Sequence, residues 1–309
     1  MILICNVIFG MVLKNIYRIV IPAVLLLCSL PVVSFASDKA DGDSIYSFRH
    51  KGLERYYRIF VPDSLAEGKP LVMMLHGYGG KPSPDRFGMR EAARKHGFAV
   101  CYPQGHPDGR GKSCWNVGYP FQKDLKTDDV DFICRLARHI ASEYGLCQDN
   151  IFCCGHSNGG EMCYLMAYMK PDFFAAVAPL AGLTLEWMYR ELEASSPIPL
   201  LEIHGTDDKT SLWEGDPLNE GGWGAYISVP TAVGYWVAAN RCTHSLTEIL
   251  PAKENGRKVI VHRYLGGTAG AEVWLYEIQG GSHSLPDTDL DTGMEVLEFF
   301  SRYIKKNDK

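Results

Sequence analysis

Short apolar runs alternate along this chain with stretches in which apolar residues recur every three or four positions. The apolar runs predict buried strands over 55–61, 71–75, 98–102, 151–154, 175–178, 200–203, 259–264 and 273–278. The three-to-four spacing predicts helices over 85–96, 128–144, 159–169, 230–240 and 292–305. Because the strands alternate with helices, the pattern predicts an α/β fold with a mostly parallel central sheet and helices on both faces.

Residues 211–228 follow neither period and contain four glycines and two tryptophans. A segment of this length without its own periodicity is typical of a functional loop. No linker rich in proline or serine divides the chain on either side of it, so we expect residues 37–309 to form a single domain.

Residues 1–36 have the three-part layout of a signal peptide and are expected to lie outside the domain. Lys14 and Arg18 supply a basic region, 19–33 is apolar, and 34–36 offers small residues for cleavage. The apolar run is short for a membrane span and contains two prolines, so no stable span is expected after cleavage. The sequence therefore predicts a secreted or periplasmic protein.

A lipid anchor on Cys28 is the alternative for the same segment. Leu27 stands where a lipidation motif would have a small residue, so cleavage by a signal peptidase is the favoured interpretation.

Composition and charge exclude several classes of protein. Of the 309 residues, 46% are hydrophobic and 22% charged, and the formal charge is −5. Nucleic acid is not expected as a partner, because phosphate binding needs a basic face and no basic run occurs. Ten cysteines are present, and eight remain after signal removal. They form no Cys-x-x-Cys pair, and the histidines show no ligand spacing, so no metal site is predicted.

The segment Gly155-His156-Ser157-Asn158-Gly159 contains the Gly-x-Ser-x-Gly pattern. It follows a predicted buried strand and opens a predicted helix, which is the setting of a nucleophile elbow. Glycines two positions before and after the serine permit the tight turn that such an elbow requires. Ser157 is therefore the candidate nucleophile, in preference to a glycine-rich turn with a capping serine.

A serine nucleophile needs a base, and the base needs an acid that orients it. In this fold the order along the chain is serine, acid, histidine. His283 follows the strand 273–278 on a glycine-flanked loop, which makes it the candidate base. The strand 200–203 ends near Asp207 and Asp208, and the residues alone do not separate these two as the acid.

Two further groups of residues are expected at the same edge of the sheet. Backbone N–H groups of Tyr78, in a glycine-rich turn after an early strand, and of Asn158 would form an oxyanion hole. Trp115, Trp213 and Trp223 are candidate substrate-binding residues, since a flat ring stacks on a sugar or an aromatic acyl group.

At this point the chain resembles the esterase/polyhydroxybutyrate depolymerase family of α/β-hydrolases, which includes secreted feruloyl and acetylxylan esterases. The matching segments are LHGYGG (75–80), SCWN (113–116), DDVDFI (128–133), GHSNGGEM (155–162), FAAVAPLAG (174–182), HGTDD (204–208), NRC (240–242) and GGSHSLP (280–286). The family's HGTxD pattern has its acid in the fifth position, so the resemblance implies Asp208. Gly267 stands where the family commonly has a cysteine, which implies that Cys242 has lost a disulfide partner.

The resemblance implies an α/β-hydrolase fold and a serine esterase that needs no cofactor. The expected substrate is a feruloyl or acetyl ester on a plant cell-wall polysaccharide or oligosaccharide. A depolymerase of hydroxyalkanoate oligomers is the alternative, and a peptidase on the same fold is disfavoured because no added peptide-binding domain is encoded. An inactive carbohydrate-binding relative, from a different class, is disfavoured by the intact Ser157, Asp208 and His283.

Overall fold

A ten-stranded sheet runs through the computed structural model, which describes residues 40–306. The predicted signal peptide, residues 1–36, lies outside the described residues. Within them the strands are β1 (Tyr46–His50), β2 (Leu53–Phe60), β3 (Leu71–Leu75), β4 (Ala99–Pro103), β5 (His106–Pro107), β6 (Ser113–Cys114), β7 (Ile151–His156), β8 (Ala176–Leu180), β9 (Leu200–Gly205), β10 (His244–Ile249), β11 (Val259–Leu265) and β12 (Val273–Ile278).

The α-helices of the same residues lie between these strands. They are α1 (Met89–His96), α2 (Asp129–Glu143), α3 (Asn158–Met169), α4 (Glu186–Glu191), α5 (Val229–Ala239) and α6 (Thr292–Ser301). Asp128 caps α2 by accepting a hydrogen bond from the Asp131 N–H, and Ser228 caps α5 in the same way through the Thr231 N–H.

The strand order in the large sheet is β1-β2-β4-β3-β7-β8-β9-β12-β11-β10. The six strands from β4 to β12 in this order pair in parallel, and the two strands added at each edge are antiparallel. The predicted mostly parallel sheet is thereby confirmed. All parallel strands present their carboxyl ends at one edge, where ligands bind in folds of this type.

Helices cover both faces of the sheet, as the alternation of elements predicted. Successive residues of β3 point to opposite faces, so Leu71 and Met73 pack under α2, α3 and α5 while Val72 and Met74 pack under α1 and α6. Both faces of the central strands are buried, which explains why these strands are continuous apolar runs in the sequence.

The structure differs from the predicted elements in a few places. The helix expected over 85–96 begins at Met89, because Phe87 and Gly88 have positive φ values of 59° and 63° and interrupt it. The closing helix expected over 292–305 ends at Ser301. The strands β1 and β10, the short β5–β6 pair and helix α4 were not predicted; β10 is almost wholly exposed and has no apolar period.

Candidate active site

Ser157 occupies the turn between β7 and α3. Its backbone has φ 56° and ψ −121°, a left-handed conformation that a side chain rarely adopts. The turn is tight enough that a Cβ on Gly155 would lie 2.4 Å from the carbonyl oxygen of Gly159. The strand–turn–helix arrangement expected from the sequence is therefore present, and the two glycines are required by distance.

The turn after β3 lies directly against the serine. A Cβ on Gly77 would lie 3.3 Å from the Ser157 Cβ, so the loop that carries Tyr78 passes beside the nucleophile. Among residues 40–306, neither the Tyr78 N–H nor the Asn158 N–H donates to another protein group. Two free donors beside the serine, one at the positive end of α3, suit a developing oxyanion.

Asp208 and His283 meet at the carboxyl edge of the sheet. Oδ2 of Asp208 accepts a hydrogen bond from His283 Nδ1 at 2.7 Å, and Oδ1 accepts from the N–H groups of Thr210 and Ser211 at 2.7 and 2.8 Å. Burial alone would raise the pKa of Asp208, but these bonds outweigh it and the pKa lies below its usual value. Asp208 is therefore an ionised carboxylate that fixes the imidazole.

Asp207 has a different position from its neighbour. It is exposed and forms an ion pair with Lys209. Only Asp208, which is 2% exposed, reaches His283. The residues alone left the two aspartates open as the acid, and the contact with His283 makes Asp208 the better candidate.

Ser157 and His283 line a common groove of about 530 Å³, together with Tyr78. Nε2 of His156 donates to the backbone oxygen of His283 at 2.8 Å and so ties the histidine loop to the end of β7. Burial and the neighbouring His283 and Arg86 lower the pKa of His156 to about 3, so it stays neutral in this position. Sequence reasoning missed His156, although it is part of the Gly-x-Ser-x-Gly pattern.

A second histidine–carboxylate pair is buried behind Asp208. His204 is fully buried, with Nδ1 2.8 Å from Glu202 Oε1 and Nε2 2.8 Å from the carbonyl oxygen of Ser211. Burial by itself would lower the pKa of His204, but the bond to Glu202 and the charges of Glu202 and Asp208 raise it. The protonated form of His204 is thus favoured by the acidic groups of Glu202 and Asp208 on either side of it.

Glu161 is a buried carboxyl on the first turn of α3. It accepts hydrogen bonds from the Tyr119 hydroxyl and, at 3.4 Å, from Nδ2 of Asn158. Burial raises its pKa to about 7. Glu161 was not singled out in the sequence; an acidic residue inside the otherwise apolar run of α3 was the available signal.

The three candidate tryptophans have three different positions. Trp115 is fully buried: its Nε1 donates to the His76 oxygen at 2.8 Å and its N–H to Asn158 Oδ1 at 2.7 Å. The expectation that Trp115 contacts substrate is wrong, since its ring is buried in the core, where it connects the turn after β3 to the start of α3. The SCWN segment (113–116) therefore holds the backbone on both sides of Ser157 in place through Trp115.

Trp213 and Trp223 belong to the 211–228 loop but contact different residues. Trp223 is half-buried and, with Tyr78, Tyr119 and Phe121, forms an aromatic cluster with ring centroids 5.1–6.0 Å apart. It also lines a small cavity that Ser157 and Glu161 share. Trp213 packs against His204, with the two ring centroids 6.0 Å apart. Of the three candidate tryptophans, Trp223 is thus the one that lines a cavity together with Ser157.

Neither a metal site nor a membrane-spanning helix is found in the described residues. In residues 40–306 no three side chains of histidine, cysteine, aspartate or glutamate lie close enough together to hold a metal ion. No helix in that range is both long enough and apolar enough to cross a bilayer.

Comparison with known structures identifies the fold. An acetyl xylan esterase from Aspergillus awamori superposes with a TM-score of 0.58 at 18% identity, over 83% of this chain and 99% of that one. An S-formylglutathione hydrolase from Agrobacterium tumefaciens gives 0.55 at 15% identity, over 84% and 95%. The protein has the α/β-hydrolase fold, as the order of strands and helices predicted.

Comparison of sequences narrows the resemblance. Residues 88–215, less than half of the chain, match the prolyl oligopeptidase family; the match includes Ser157 and Asp208 but ends before His283. The chain is 27% identical to a bifunctional acetylxylan esterase/xylanase from Neocallimastix patriciarum over 52% of its length, and 25% identical to poly(3-hydroxyalkanoate) depolymerase C from Paucimonas lemoignei over 63%. These matches confirm the resemblance inferred from the motifs.

The matches do not extend over whole relatives. The aligned part spans 22% of the Neocallimastix protein and 45% of the Paucimonas depolymerase. The chain therefore matches less than half the length of these curated relatives.

Proposed function

We propose that this protein is a secreted serine esterase that hydrolyses acetyl or feruloyl esters on plant polysaccharides or oligosaccharides. The observation that carries the proposal is the 2.7 Å bond between His283 and Asp208 in a groove that also contains Ser157. An oriented base beside a nucleophile and two free N–H donors is the arrangement that acyl transfer requires.

The reaction would take two steps. The Ser157 hydroxyl attacks the ester carbonyl while His283 accepts its proton, and the N–H groups of Tyr78 and Asn158 bind the oxyanion. The bond to the alcohol breaks as His283 returns the proton to the leaving oxygen, which leaves an acyl-enzyme. Water, deprotonated by His283, then attacks the acyl carbon and releases the acid and Ser157. Asp208 keeps the imidazole in the required orientation and compensates its positive charge.

Two named relatives support different substrates. The acetylxylan esterase name supports acetyl groups on xylan, whereas the depolymerase name supports hydroxyalkanoate oligomers as a second candidate. Secretion rests on the layout of residues 1–36 alone.

The first experiment asks whether the protein is a serine hydrolase. A fluorophosphonate probe should label wild-type protein and leave Ser157→Ala unlabelled. The control variant Asp207→Asn, which changes an exposed carboxylate beside the site, should be labelled by the probe at the wild-type rate. Absence of labelling in the wild type would indicate an inactive carbohydrate-binding relative instead.

The second experiment asks which substrates are used. Acetylated xylo-oligosaccharides, methyl ferulate, 3-hydroxybutyrate trimer and a glycyl-prolyl anilide are compared by kcat/KM. The proposal expects the carbohydrate or feruloyl ester to be hydrolysed fastest. A preference for the trimer would favour the depolymerase, and cleavage of the anilide alone would replace the esterase by a peptidase.

A further inference from the structure

The charge of the groove around Ser157 has one sign. Its walls carry Lys81 and Arg86 from the segment between β3 and α1, and its lining contains no aspartate or glutamate. A substrate groove whose charged side chains are all cationic attracts negatively charged groups, because a low-dielectric wall strengthens the field inside it. The groove is thus suited to a substrate that carries a negative charge near its ester.

Arg86 has a defined place in this wall. Its guanidinium carbon lies 4.5 Å from the centroid of the Phe87 ring, and Nη2 lies 3.4 Å from Nδ1 of His156, the residue immediately before the nucleophile. These contacts turn the guanidinium toward the end of β7, where Ser157 begins the turn. The positive charge therefore faces the region that an ester must enter.

Neither cation is neutralised by the described part of the chain. Within residues 40–306, no carboxylate lies within 4 Å of Lys81 or Arg86, whereas Arg90, four residues further along the chain, pairs with both Asp43 and Asp85. Asp287 is the acidic group that acts electrostatically on Arg86, although the two side chains form no ion pair. A guanidinium remains charged under all ordinary conditions and binds carboxylates through paired N–H donors.

We propose that Lys81 and Arg86 form an anion subsite that selects ester substrates carrying a carboxylate near the ester bond. This inference rests on the proposed esterase function and narrows its substrate class. The carboxylate could belong to a uronic acid residue of an acidic polysaccharide or to the free end of a hydroxyalkanoate oligomer. In both cases the carboxylate would pair with the guanidinium while the ester carbonyl enters the oxyanion hole.

The test compares substrates that differ only in that charge. Mono-(4-nitrophenyl) adipate and 4-nitrophenyl hexanoate share a six-carbon acyl chain and a leaving group, and rates are corrected for spontaneous hydrolysis. We expect the ratio of kcat/KM, adipate to hexanoate, to fall about tenfold or more in Arg86→Gln, since a charged hydrogen bond is lost. Lys81→Gln should lower the ratio less, and Arg86→Lys should keep part of it.

Two controls separate a lost ion pair from general damage. Arg94→Gln removes the same charge from an exposed position on α1, outside the groove, and should leave the ratio unchanged. The wild-type ratio should also decline as salt is added, because ions screen the attraction. A ratio that is the same in wild type and Arg86→Gln, or that falls equally in Arg94→Gln, would overturn the subsite.

Natural sources of the carboxylate are distinguished with two more pairs. The first is acetylated galacturono-oligosaccharide against acetylated xylo-oligosaccharide, and the second is 3-hydroxybutyrate trimer against its methyl ester. A preference for the charged substrate that depends on Arg86 within one pair assigns the source. The lack of such a preference in both pairs contradicts the subsite.

If the wild type hydrolyses neutral esters without any Arg86-dependent preference, only the subsite fails. If it hydrolyses no ester and takes no fluorophosphonate, the esterase function fails, and the subsite fails with it.

Discussion

Nε2 of His204 lies 3.5 Å from Oδ2 of Asp208, the same carboxylate oxygen that accepts the 2.7 Å hydrogen bond from His283. One aspartate thus lies between two imidazoles, of which one faces the groove and the other is sealed behind it. His204 in turn is held by Glu202 and by the Ser211 carbonyl. The position of Asp208 therefore depends on residues that no substrate touches.

Replacement of His204 should slow turnover without weakening substrate binding. His204→Gln removes the imidazole that contacts Asp208 and its bond to the Ser211 carbonyl, so we expect kcat to fall roughly tenfold, the equivalent of one hydrogen bond, with KM little changed. Steady-state kinetics on 4-nitrophenyl butyrate measures both constants. His262→Gln is the matched control, because His262 pairs with Glu277 at 3.2 Å on the outer strand β11. A rise in KM alone would contradict this role.

The two adjacent aspartates should behave very differently. Asp208→Asn leaves the shape of the site but loses the charge that orients His283, so we expect kcat to fall by a factor on the order of 10⁴. Asp207→Asn should change kcat less than about twofold, because an exposed ion pair contributes little. Circular dichroism of both variants checks that the fold is retained. An equal fall in kcat in the two variants would contradict the assignment of Asp208 as the acid.

Glu161 should make the protein less stable as the pH rises from about 4.5 to about 7. Its folded pKa is raised to about 7 from 4.5, so the native state holds a proton in this window that the unfolded chain has lost. The free energy of unfolding should therefore decrease with pH, by on the order of 2–3 kcal/mol. Urea denaturation at pH 4.5 and pH 8 measures the difference.

Glu161→Gln provides the comparison, since the amide cannot titrate. Its stability relative to wild type should increase with pH through the same window. Glu54→Gln, an exposed position on β2, should show no such trend. A constant difference between Glu161→Gln and wild type would mean that Glu161 does not carry a buried proton.

The two loop tryptophans should affect different properties. Trp223→Ala opens the aromatic cluster beside Ser157. The variant should lose roughly 1–2 kcal/mol of transition-state binding for feruloyl or xylan-linked esters, which lowers kcat/KM, while a small acetyl ester is hardly affected. Trp213→Ala should instead lower the melting temperature, because this ring packs against the buried His204. Differential scanning calorimetry and kinetics on both substrates separate the effects. Reversal of the two phenotypes would contradict the assignment.

The cysteines of the described residues should all be thiols. None of the eight cysteines in residues 40–306 is in a disulfide, and only Cys147 and Cys242 are partly exposed. Native alkylation should therefore modify those two first, and denaturation without reductant should expose all eight to mass spectrometry. A cysteine at Gly267 is excluded by space, since a Cβ there would lie 2.0 Å from the Ala271 oxygen. A disulfide involving Cys242 would contradict the prediction.

The elements that build the nucleophile turn could be predicted from the sequence because they are local. An apolar strand, a Gly-x-Ser-x-Gly turn and a helix follow one another within twenty residues around Ser157. The nearness of Asp208 and His283 followed from a rule of topology, since parallel strands bring their carboxyl ends to one edge. Neither inference needed knowledge of side-chain packing.

Features that depend on packing could not be predicted in the same way. Trp115 was expected at the substrate, yet whether an aromatic ring faces a groove or the core depends on neighbours distant in sequence, here His76 and Asn158. The exposed strand β10 forms by pairing with β11 at the sheet edge and leaves no apolar period to detect. Arg86 became notable only when the structure showed that no carboxylate of residues 40–306 pairs with it.

Close packing of glycines around the nucleophile turn has a consequence for saturation mutagenesis. A Cβ at Gly155 or Gly159 would lie about 2.4–2.5 Å from backbone atoms, and one at Gly160 would lie 2.8 Å from Cα of Gly182. Alanine at any of these positions should therefore abolish activity by displacing the serine, even though none of them lines the groove. A map of intolerant positions would therefore mark these glycines as strongly as Ser157, Asp208 and His283, and at the glycines it would report backbone spacing rather than chemistry.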